Sequence, residues 1–568
     1  MWRYLVLAVC YVLIAALPLL SQFGSNLEYE YALIVALSCL VAIPLVALVL
    51  PDRHLPMTAG QYDPMVALNI FWCFFIAPAL LVLPGIYVYT SGQCPCSPSG
   101  FGFWMLFQAY PALILAHAGY QGILAARCRG TSRKRLALAY VFMAVVLVAS
   151  VATELWFHPQ KRLTHLLTGF LHGPIYDGWI PVDDGLVLAR SAHLAVAGFL
   201  LLIAMWRGQY TLMAGAVLVF LVGTFLSVQA RRYPSVHNGK RHLEQLLNSK
   251  VERTDFTLHY RNSRNRNKIP VKIRRLVRDT EFHLKELNAQ LKVKPPHIHI
   301  YVYPNQDKKK LWFGGGSTDV TDVWTPSVHI TADRWPHPTL RHELVHAVAS
   351  EFGFYGLGFH PNMAFTEGLA VALAPTRHFL SIDERSAALM DSDRLPPLEN
   401  LFSPAFWREA GGRAYTVAGS VIQFLIDQYG IAKVKELYAG GSFSSVFETD
   451  RHQVLKKWQA HVKKDFDEQR SKLYSEALYR YPGVLRDRCP HSKYDLAKNR
   501  SYNVYVRLRQ PLGWDPRTDY NKWKLALEPD NMGTRFSMWR GLIREVASES
   551  YPSRGRLWTW QEVLERAR

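Results

Sequence analysis

Long apolar runs in the first 230 residues constrain the fold of this 568-residue chain more than any other feature. A helix needs roughly 20 consecutive apolar residues to cross a bilayer, and runs of that length recur before residue 230 but not after it. Seven membrane spans are predicted, at 4–20, 31–50, 66–88, 103–125, 136–156, 189–206 and 210–229. The chain is therefore expected to be an N-terminal all-α polytopic membrane region, residues 1–230, followed by a large water-soluble region.

The basic residues of the loops predict how these spans are oriented, because Lys and Arg are enriched on the cytoplasmic side. The connection 127–135 is strongly basic, whereas the connections 21–30 and 89–102 contain no Lys or Arg. With seven spans, the amino terminus is expected inside and the soluble domain outside, as in a multi-pass protein of a bacterial inner membrane with a periplasmic domain. Arg231 and Arg232, which directly follow the last span, oppose this orientation.

The formal net charge of +20 includes a dense basic stretch from Arg261 to Arg278. The sequence contains no recognisable nucleic-acid-binding motif, so no nucleic-acid partner is expected. A lipid bilayer is the expected partner of the chain. The basic stretch either contacts its anionic headgroups, at roughly 1 kcal/mol for each Lys or Arg close to the surface, or has no specific role.

The pentapeptide His342-Glu343-Leu344-Val345-His346 predicts a metal site in the soluble region. Residues four apart share one face of a helix, so His342 and His346 can hold one metal ion with Glu343 beside it as general base. Glu367 follows after a loop and opens a second apolar helix, which gives the His, His and Glu donors of a hydrolytic zinc site. Arg334, His337 and Arg341 interrupt the segment, which argues against a site inside the bilayer.

The pattern of the soluble region predicts α+β organisation. Strands are predicted from alternation at 256–260, 297–303 and 328–331, and a helix from apolar spacing over 269–292. The β-rich part with both ligand helices spans 231–375, helices follow over 376–475, and 476–568 is expected to be a helical accessory tail. That tail either binds a membrane-protein partner or packs as an inert extension. A strand ahead of the metal helix can hold an extended peptide by backbone hydrogen bonds.

These motifs resemble the gluzincin zinc metallopeptidases, the class that includes thermolysin. The HELVH pentapeptide, Phe365–Ala370 (FTEGLA), 414–420 (AYTVAGS) and 425–430 (LIDQYG) are most similar to bacterial peptidase-MA-like domains fused to multi-span membrane regions. The resemblance covers about 250–475, and the metal motif is its specific part. It implies a thermolysin-like fold for the zinc domain.

The resemblance also implies roles for individual residues. His342, His346 and Glu367 are the expected ligands of one Zn²⁺ per chain, and Glu343 is the expected general base. Tyr415 is either the phenol that hydrogen-bonds the oxyanion or a packing aromatic. The thermolysin type has an acidic residue four positions after the third ligand, but Val371 stands here. A different acceptor, such as a backbone carbonyl, is then needed for the imidazole N–H groups.

The leading hypothesis is a membrane-anchored zinc endopeptidase acting on peptide or protein substrates. Two alternatives are a non-catalytic, metal-stabilised membrane scaffold and a transport-associated peptide-binding protein. An intact Glu343 disfavours the scaffold, because a purely structural zinc site needs no base and usually fills its fourth position.

Overall fold

The protein was analysed as a computed structural model. It describes residues 2–20, 29–51, 64–90, 98–166, 168–171, 173, 180, 182–206, 210–262, 268–332, 337–374, 381–409, 411–463 and 479. The predicted accessory tail, apart from Tyr479, lies outside the described residues. Within the described residues the chain is mostly helical and has one small mixed sheet.

The described chain packs into two compact units. The first unit contains Met1–Gln245 and also Asp307–Thr318, while the second contains Leu246–Gln306 and most of the chain from Asp319 onward. The short segment Asp307–Thr318 therefore packs with the first unit although it interrupts the second in sequence. The predicted domain boundaries at 230, 375 and 475 stay predictions.

Apolar helices make up most of the first unit. Its helices are α1 (Trp2–Ala16), α2 (Tyr29–Val49), α3 (Pro64–Phe71), α4 (Ala77–Thr90), α5 (Pro98–Trp104), α6 (Tyr110–Cys128), α7 (Arg133–Phe157), α8 (Asp184–Met205), α9 (Tyr210–Ala230) and α10 (Lys240–Leu247). Single π-helical turns at Trp72–Ile76 and Met105–Ala109 join α3 to α4 and α5 to α6. A hairpin of β1 (Leu163–His165) and β2 (Gly169–Leu171) lies between α7 and α8.

Each of the seven predicted spans falls on a helical segment, and five described segments are long and apolar enough to cross a membrane. These five are Tyr29–Val49, Phe101–Cys128, Arg133–Phe157, Asp184–Met205 and Tyr210–Ala230. The remaining predicted spans fall on the shorter apolar helices Trp2–Ala16 and Leu68–Leu83. Length and composition thus support membrane association.

A buried arginine stabilises the second π-helical turn of the first unit. A π-helical turn disturbs the regular ladder of backbone hydrogen bonds, and the carbonyls it frees need new donors. Arg190 of α8 donates from Nε to the Phe107 carbonyl at 2.6 Å and from a terminal nitrogen to the Gln108 carbonyl at 3.3 Å. The side-chain amide of Gln108 in turn bonds both Thr168 and Phe170 of the hairpin.

The second unit is built on a five-stranded sheet of order β3-β4-β5-β7-β6. The strands are β3 (Ser249–Glu252), β4 (Phe256–Tyr260), β5 (Ile298–Tyr303), β6 (Val320–Asp322) and β7 (Ser327–Thr331). The three central strands are parallel, and the two edge strands, β3 and β6, run antiparallel to their neighbours. The predicted strands correspond to β4, β5 and β7, whereas β3 and β6 have no counterpart among the sequence predictions.

Helices of the second unit share one hydrophobic core with this sheet. They are α11 (Val271–Leu291), α13 (Leu340–Ala349), α14 (Met363–Leu373), α15 (Ile382–Asp391), α16 (Leu398–Leu401), α17 (Gly411–Tyr438), α18 (Phe443–Phe447) and α19 (Arg451–Val462). The intervening α12 (Gln306–Phe313) belongs from Asp307 onward to the first unit. The coarse α+β prediction is thereby confirmed for the described residues, as is the helix expected over 269–292.

Glycine allows α14 and α17 to approach closely beside the third predicted ligand. A Cβ atom on Gly368 would lie 2.8 Å from the Ala418 carbonyl oxygen and 2.9 Å from a side-chain carbon of Ile422. A Cβ atom on Gly419 would lie 2.4 Å from a side-chain carbon of Val371. Distances below 3.0 Å are not tolerated without movement, so these two positions set the separation of the helices.

Candidate metal centre

Helix α13 brings the two histidines of the pentapeptide together. Thr339 stands at its N-cap, and the apolar residues between the histidines are buried in the core. His342 and His346 lie one turn apart on the less buried face, with their Nε2 atoms 3.2 Å from each other. Their rings lie edge to face, with a centroid distance of 4.8 Å. Both Nε2 atoms can therefore bind the same metal ion.

Helix α14 adds the third donor. Its N-cap is Asn362, whose side-chain oxygen accepts a hydrogen bond from the Ala364 N–H at 3.0 Å. Glu367 then extends from the beginning of the second turn of this helix toward α13. Its Oε2 atom lies 3.2 Å from Nε2 of His342 and 3.5 Å from Nε2 of His346.

The spacing of these three atoms fits a tetrahedral metal site. Zinc binds nitrogen and oxygen ligands at about 2.0–2.1 Å, which places two ligand atoms of a tetrahedron about 3.3–3.4 Å apart. The observed separations of 3.2, 3.2 and 3.5 Å bracket that value. Two imidazoles and one carboxylate also leave a fourth position for a small ligand, as in catalytic zinc sites.

The charges at this site hold Glu367 in its ionised form. Burial opposes ionisation of Glu367, but the two adjacent imidazoles prevail and lower the pKa of Glu367 to about 2. Burial likewise acts to lower the pKa of His346, yet the Glu367 carboxylate outweighs it and raises that pKa overall. A carboxylate held this firmly in its charged form is a suitable metal ligand.

Glu343 lies beside the ligands and is buried, with 5% of its surface exposed. Burial raises the pKa of Glu343, although His342 and His346 partly counteract this effect. The Thr321 hydroxyl of β6 lies 2.8 Å from Oε2 of Glu343 and 2.8 Å from its main-chain carbonyl oxygen. Within the described residues no protein donor contacts Oε1, so this oxygen remains available for proton transfer.

Arg341 connects the two ligand helices to a third helix. Its Nε donates to the carbonyl of Leu373 at the end of α14, at 2.7 Å, and its guanidinium forms an ion pair with Glu286 of α11. The side chain thus fixes the end of α14 relative to α13, the helix that bears the two imidazoles. Sequence analysis used Arg341 only as a sign that this segment is not membrane-embedded.

Val371 stands at the position where the thermolysin pattern has an acidic residue, and its surroundings in the structure are apolar. Val371 faces α17 and packs against Gly419, so a carboxylate at this position would point into an apolar helix contact. Among the residues that the structure describes, no protein acceptor contacts Nδ1 of His342 or His346. The backbone acceptor expected for the imidazoles is therefore not found in this part of the chain.

Tyr415 lies near the beginning of α17, where its ring packs against that of Phe406 at a centroid distance of 5.8 Å. This contact is the one expected if Tyr415 is a packing aromatic. The role of Tyr415 as a hydrogen-bond donor to the oxyanion stays a prediction. The other four predicted site residues, Glu343, His342, His346 and Glu367, are brought together by α13 and α14.

Two supporting residues escaped sequence analysis. Thr321 lies on a strand of three residues, too short to produce an alternating pattern. Asp319 accepts a hydrogen bond at 2.6 Å from the hydroxyl of Thr339, the N-cap of α13. Both contacts join residues about 20 positions apart, and no local spacing indicates them.

Comparison with known proteins finds no match: the chain matches no family model and no curated protein. The argument for function therefore depends on the geometry of the site itself.

Proposed function

We propose that this protein is a zinc-dependent peptidase. The observation that carries the proposal is the arrangement of three donor atoms, which lie 3.2, 3.2 and 3.5 Å from one another, with the buried carboxylate of Glu343 beside them. A structural zinc site usually has four protein ligands, whereas three ligands and an adjacent base are the composition of a hydrolytic site.

Zinc bound by His342, His346 and Glu367 would lower the pKa of water toward ~7 and polarise a substrate carbonyl. Glu343 is placed to accept a proton from the attacking water at Oε1 and to deliver it to the leaving amine. Its raised pKa suits a group that must both take and release a proton near neutral pH. Tyr415 is proposed as a hydrogen-bond donor to the oxyanion, with its packing against Phe406 as the alternative.

The edge position of β6 supports a peptide as the substrate. An edge strand has backbone N–H and C=O groups that no neighbouring strand satisfies, and an extended peptide can pair with them. Thr321 of β6 contacts Glu343, so a peptide paired with this strand would lie close to the general base. This arrangement fits cleavage within a chain, as in an endopeptidase.

A scaffold that binds zinc without catalysis is the competing hypothesis. Glu343→Gln separates the two, because it removes the base and leaves all three metal ligands in place. The full-length protein is purified, its zinc content is measured, and hydrolysis of fluorescein-labelled casein and of a degenerate peptide library is followed. We expect one zinc per chain in both proteins and hydrolysis only with Glu343.

Two kinds of result would contradict the proposed function. A wild-type protein without stoichiometric zinc would contradict the metal site itself. Zinc-loaded protein that cleaves neither substrate, or a Glu343→Gln variant as active as the wild type, would favour the scaffold or a transport-associated peptide-binding protein.

We also propose that the apolar helices anchor the protein in a bacterial inner membrane, with the metal centre on the periplasmic side. The basic connection 127–135 supports this orientation. A reporter that is active only outside the cytoplasm, fused after residue 568, is expected to be active. An active cytoplasmic reporter at the same position would reverse the orientation and the compartment of the substrate.

A further inference from the structure

Thr321 has an unusual contact for a residue on an edge strand. Its hydroxyl lies 2.8 Å from two oxygens of Glu343, the carboxylate Oε2 and the main-chain carbonyl. One hydroxyl proton is therefore shared between the side chain and the backbone of the same residue. This geometry fixes where the carboxylate lies relative to the first turn of α13.

The carboxylate has few other restraints among the described residues. Glu343 is 5% exposed, and the Thr321 hydroxyl is its one described side-chain hydrogen-bond donor. A buried carboxylate needs a donor to offset its lost hydration. Because this donor engages Oε2, it leaves Oε1 as the oxygen that can accept a proton.

The strand that supplies Thr321 is itself fixed to α13 at a second point. Asp319, directly before β6, accepts the hydroxyl proton of Thr339 at 2.6 Å. On the sheet side, β6 pairs with β7, and Thr321 stands opposite Val328 in that pairing. The backbone that carries the Thr321 hydroxyl is thus held from two directions.

We propose that Thr321 is a positioning residue for the general base. It holds Oε2 of Glu343 so that Oε1 faces the reacting water, and it links the peptide-binding edge of the sheet to that base. The proposal depends on the proposed peptidase function, and it concerns how the base is aimed, not how the metal or the peptide is bound.

The test uses the zinc-loaded, full-length protein and three substitutions. Thr321→Val removes the hydroxyl at nearly constant volume, and Thr321→Ser keeps it. Thr325→Val is the matched control, because Thr325 lies in the same hairpin and donates at 2.6 Å to Asp322 instead. With labelled casein we expect kcat to fall about 10- to 100-fold in Thr321→Val, as when a reacting group is misplaced. KM and zinc content should stay at wild-type values, and Thr321→Ser and Thr325→Val should keep most of kcat.

A second readout does not depend on turnover. Cobalt(II) replaces zinc, and its visible absorption band reports the ligand in the fourth position. Thr321→Val should shift this band, Thr321→Ser should not, and in a Glu343→Ala background Thr321→Val should have no effect. The last result distinguishes action through Glu343 from a general disturbance of the site.

The outcomes separate the two proposals. Absence of casein hydrolysis by the wild-type protein counts against the peptidase function, while the cobalt spectra still decide the role of Thr321. The positioning role is overturned if Thr321→Val matches the wild type in kcat and in spectrum. It is equally overturned if Thr321→Ser is as impaired as Thr321→Val, or if the spectral shift persists without Glu343.

Discussion

Helix α7 in the first unit and helix α14 in the second are both apolar, but the side chains of α7 are exposed and most of those of α14 are buried. The 25 residues of α7 include none that is buried, and an 18-residue stretch of the helix has a mean hydropathy of 2.4. Eight of the 11 residues of α14 are buried in the core. An apolar helix with an exposed surface requires a non-aqueous surrounding, whereas a buried one requires only protein. Apolarity therefore identifies a membrane helix only when length and exposure agree with it.

The largest difference between the two units should appear when lysine replaces one exposed valine in each of them. Val145 of α7 is 59% exposed and Val271 of α11 is 52% exposed. Val145→Lys should raise the apparent free energy of inserting segment 133–157 by about 2.5–3.5 kcal/mol, as a lysine at mid-bilayer does. The measurement is the inserted fraction of this segment in a translocation reporter.

Val271→Lys is the matched change in the second unit. It should alter the free energy of unfolding by less than about 0.5 kcal/mol, as surface substitutions usually do. If Val145→Lys leaves insertion unchanged, α7 does not cross a bilayer and the contrast between the two helices disappears.

Glycine substitutions should give the next largest effect. Gly368→Ala places a Cβ atom 2.8 Å from a backbone oxygen of α17, and we expect the second unit to lose about 2 kcal/mol, as in overpacked cores. Gly215 of α9 has nothing within 4 Å of the added atom, so Gly215→Ala should be neutral or slightly stabilising. Thermal unfolding of the full chain, followed with zinc release, measures both, and equal losses would contradict the difference in packing.

Loss of the Arg341 contacts should weaken zinc binding moderately. Arg341→Gln removes the contact with the Leu373 carbonyl and the ion pair with Glu286, so α14 is held less firmly against α13. We expect about a 10-fold lower zinc affinity, the lower end of the effect of groups that orient metal ligands. A chelator competition titration measures it, with Arg274→Gln on the exposed face of α11 as control. An unchanged affinity would show that Arg341 does not support the site.

The smallest effect should be a pH dependence of stability from His360. Burial lowers the pKa of His360 to about 4. In the unfolded chain a histidine titrates near pH ~6.5, so the unfolded state takes up the proton first. Stability should therefore fall as the pH drops from about 7 toward 4, by ~1 kcal/mol from this partly exposed and solvent-screened group.

Comparison of two variants isolates the His360 contribution. The slope of melting temperature against pH, measured on metal-free protein, should be shallower in His360→Gln than in the wild type. His452→Gln, at an exposed position of α19, should keep the wild-type slope. Identical slopes in all three proteins would assign the pH dependence to other groups.

Sequence reasoning succeeded where the signal is local. Apolar runs placed helices in the first unit, and the i, i+4 spacing placed His342 and His346 on one face, because each depends only on neighbouring residues. Glu367 could be paired with them because an apolar stretch follows it a short way along the chain, although α14 begins four residues before it, at Met363. The mixed α+β composition is accordingly confirmed at this coarse level, and the length and apolarity of five helices support membrane association.

The supporting contacts could not be predicted in the same way. Thr321 reaches Glu343 across 22 positions and Arg341 reaches Leu373 across 32. Val371 departs from the thermolysin pattern, but only the structure shows that it packs against Gly419, where α14 and α17 approach closely. Such contacts depend on how distant elements pack, and a single sequence contains no periodic signal for them.

The segment Asp307–Thr318 has a consequence for how the protein is made. The ribosome completes β5, then a stretch that packs with residues synthesised much earlier, and only afterwards β6 with Thr321. Neither unit is therefore one uninterrupted stretch of chain, and a fragment that begins at Leu246 carries this segment without the residues it packs against. We therefore expect the second unit to reach its native state only when the first unit has been synthesised ahead of it.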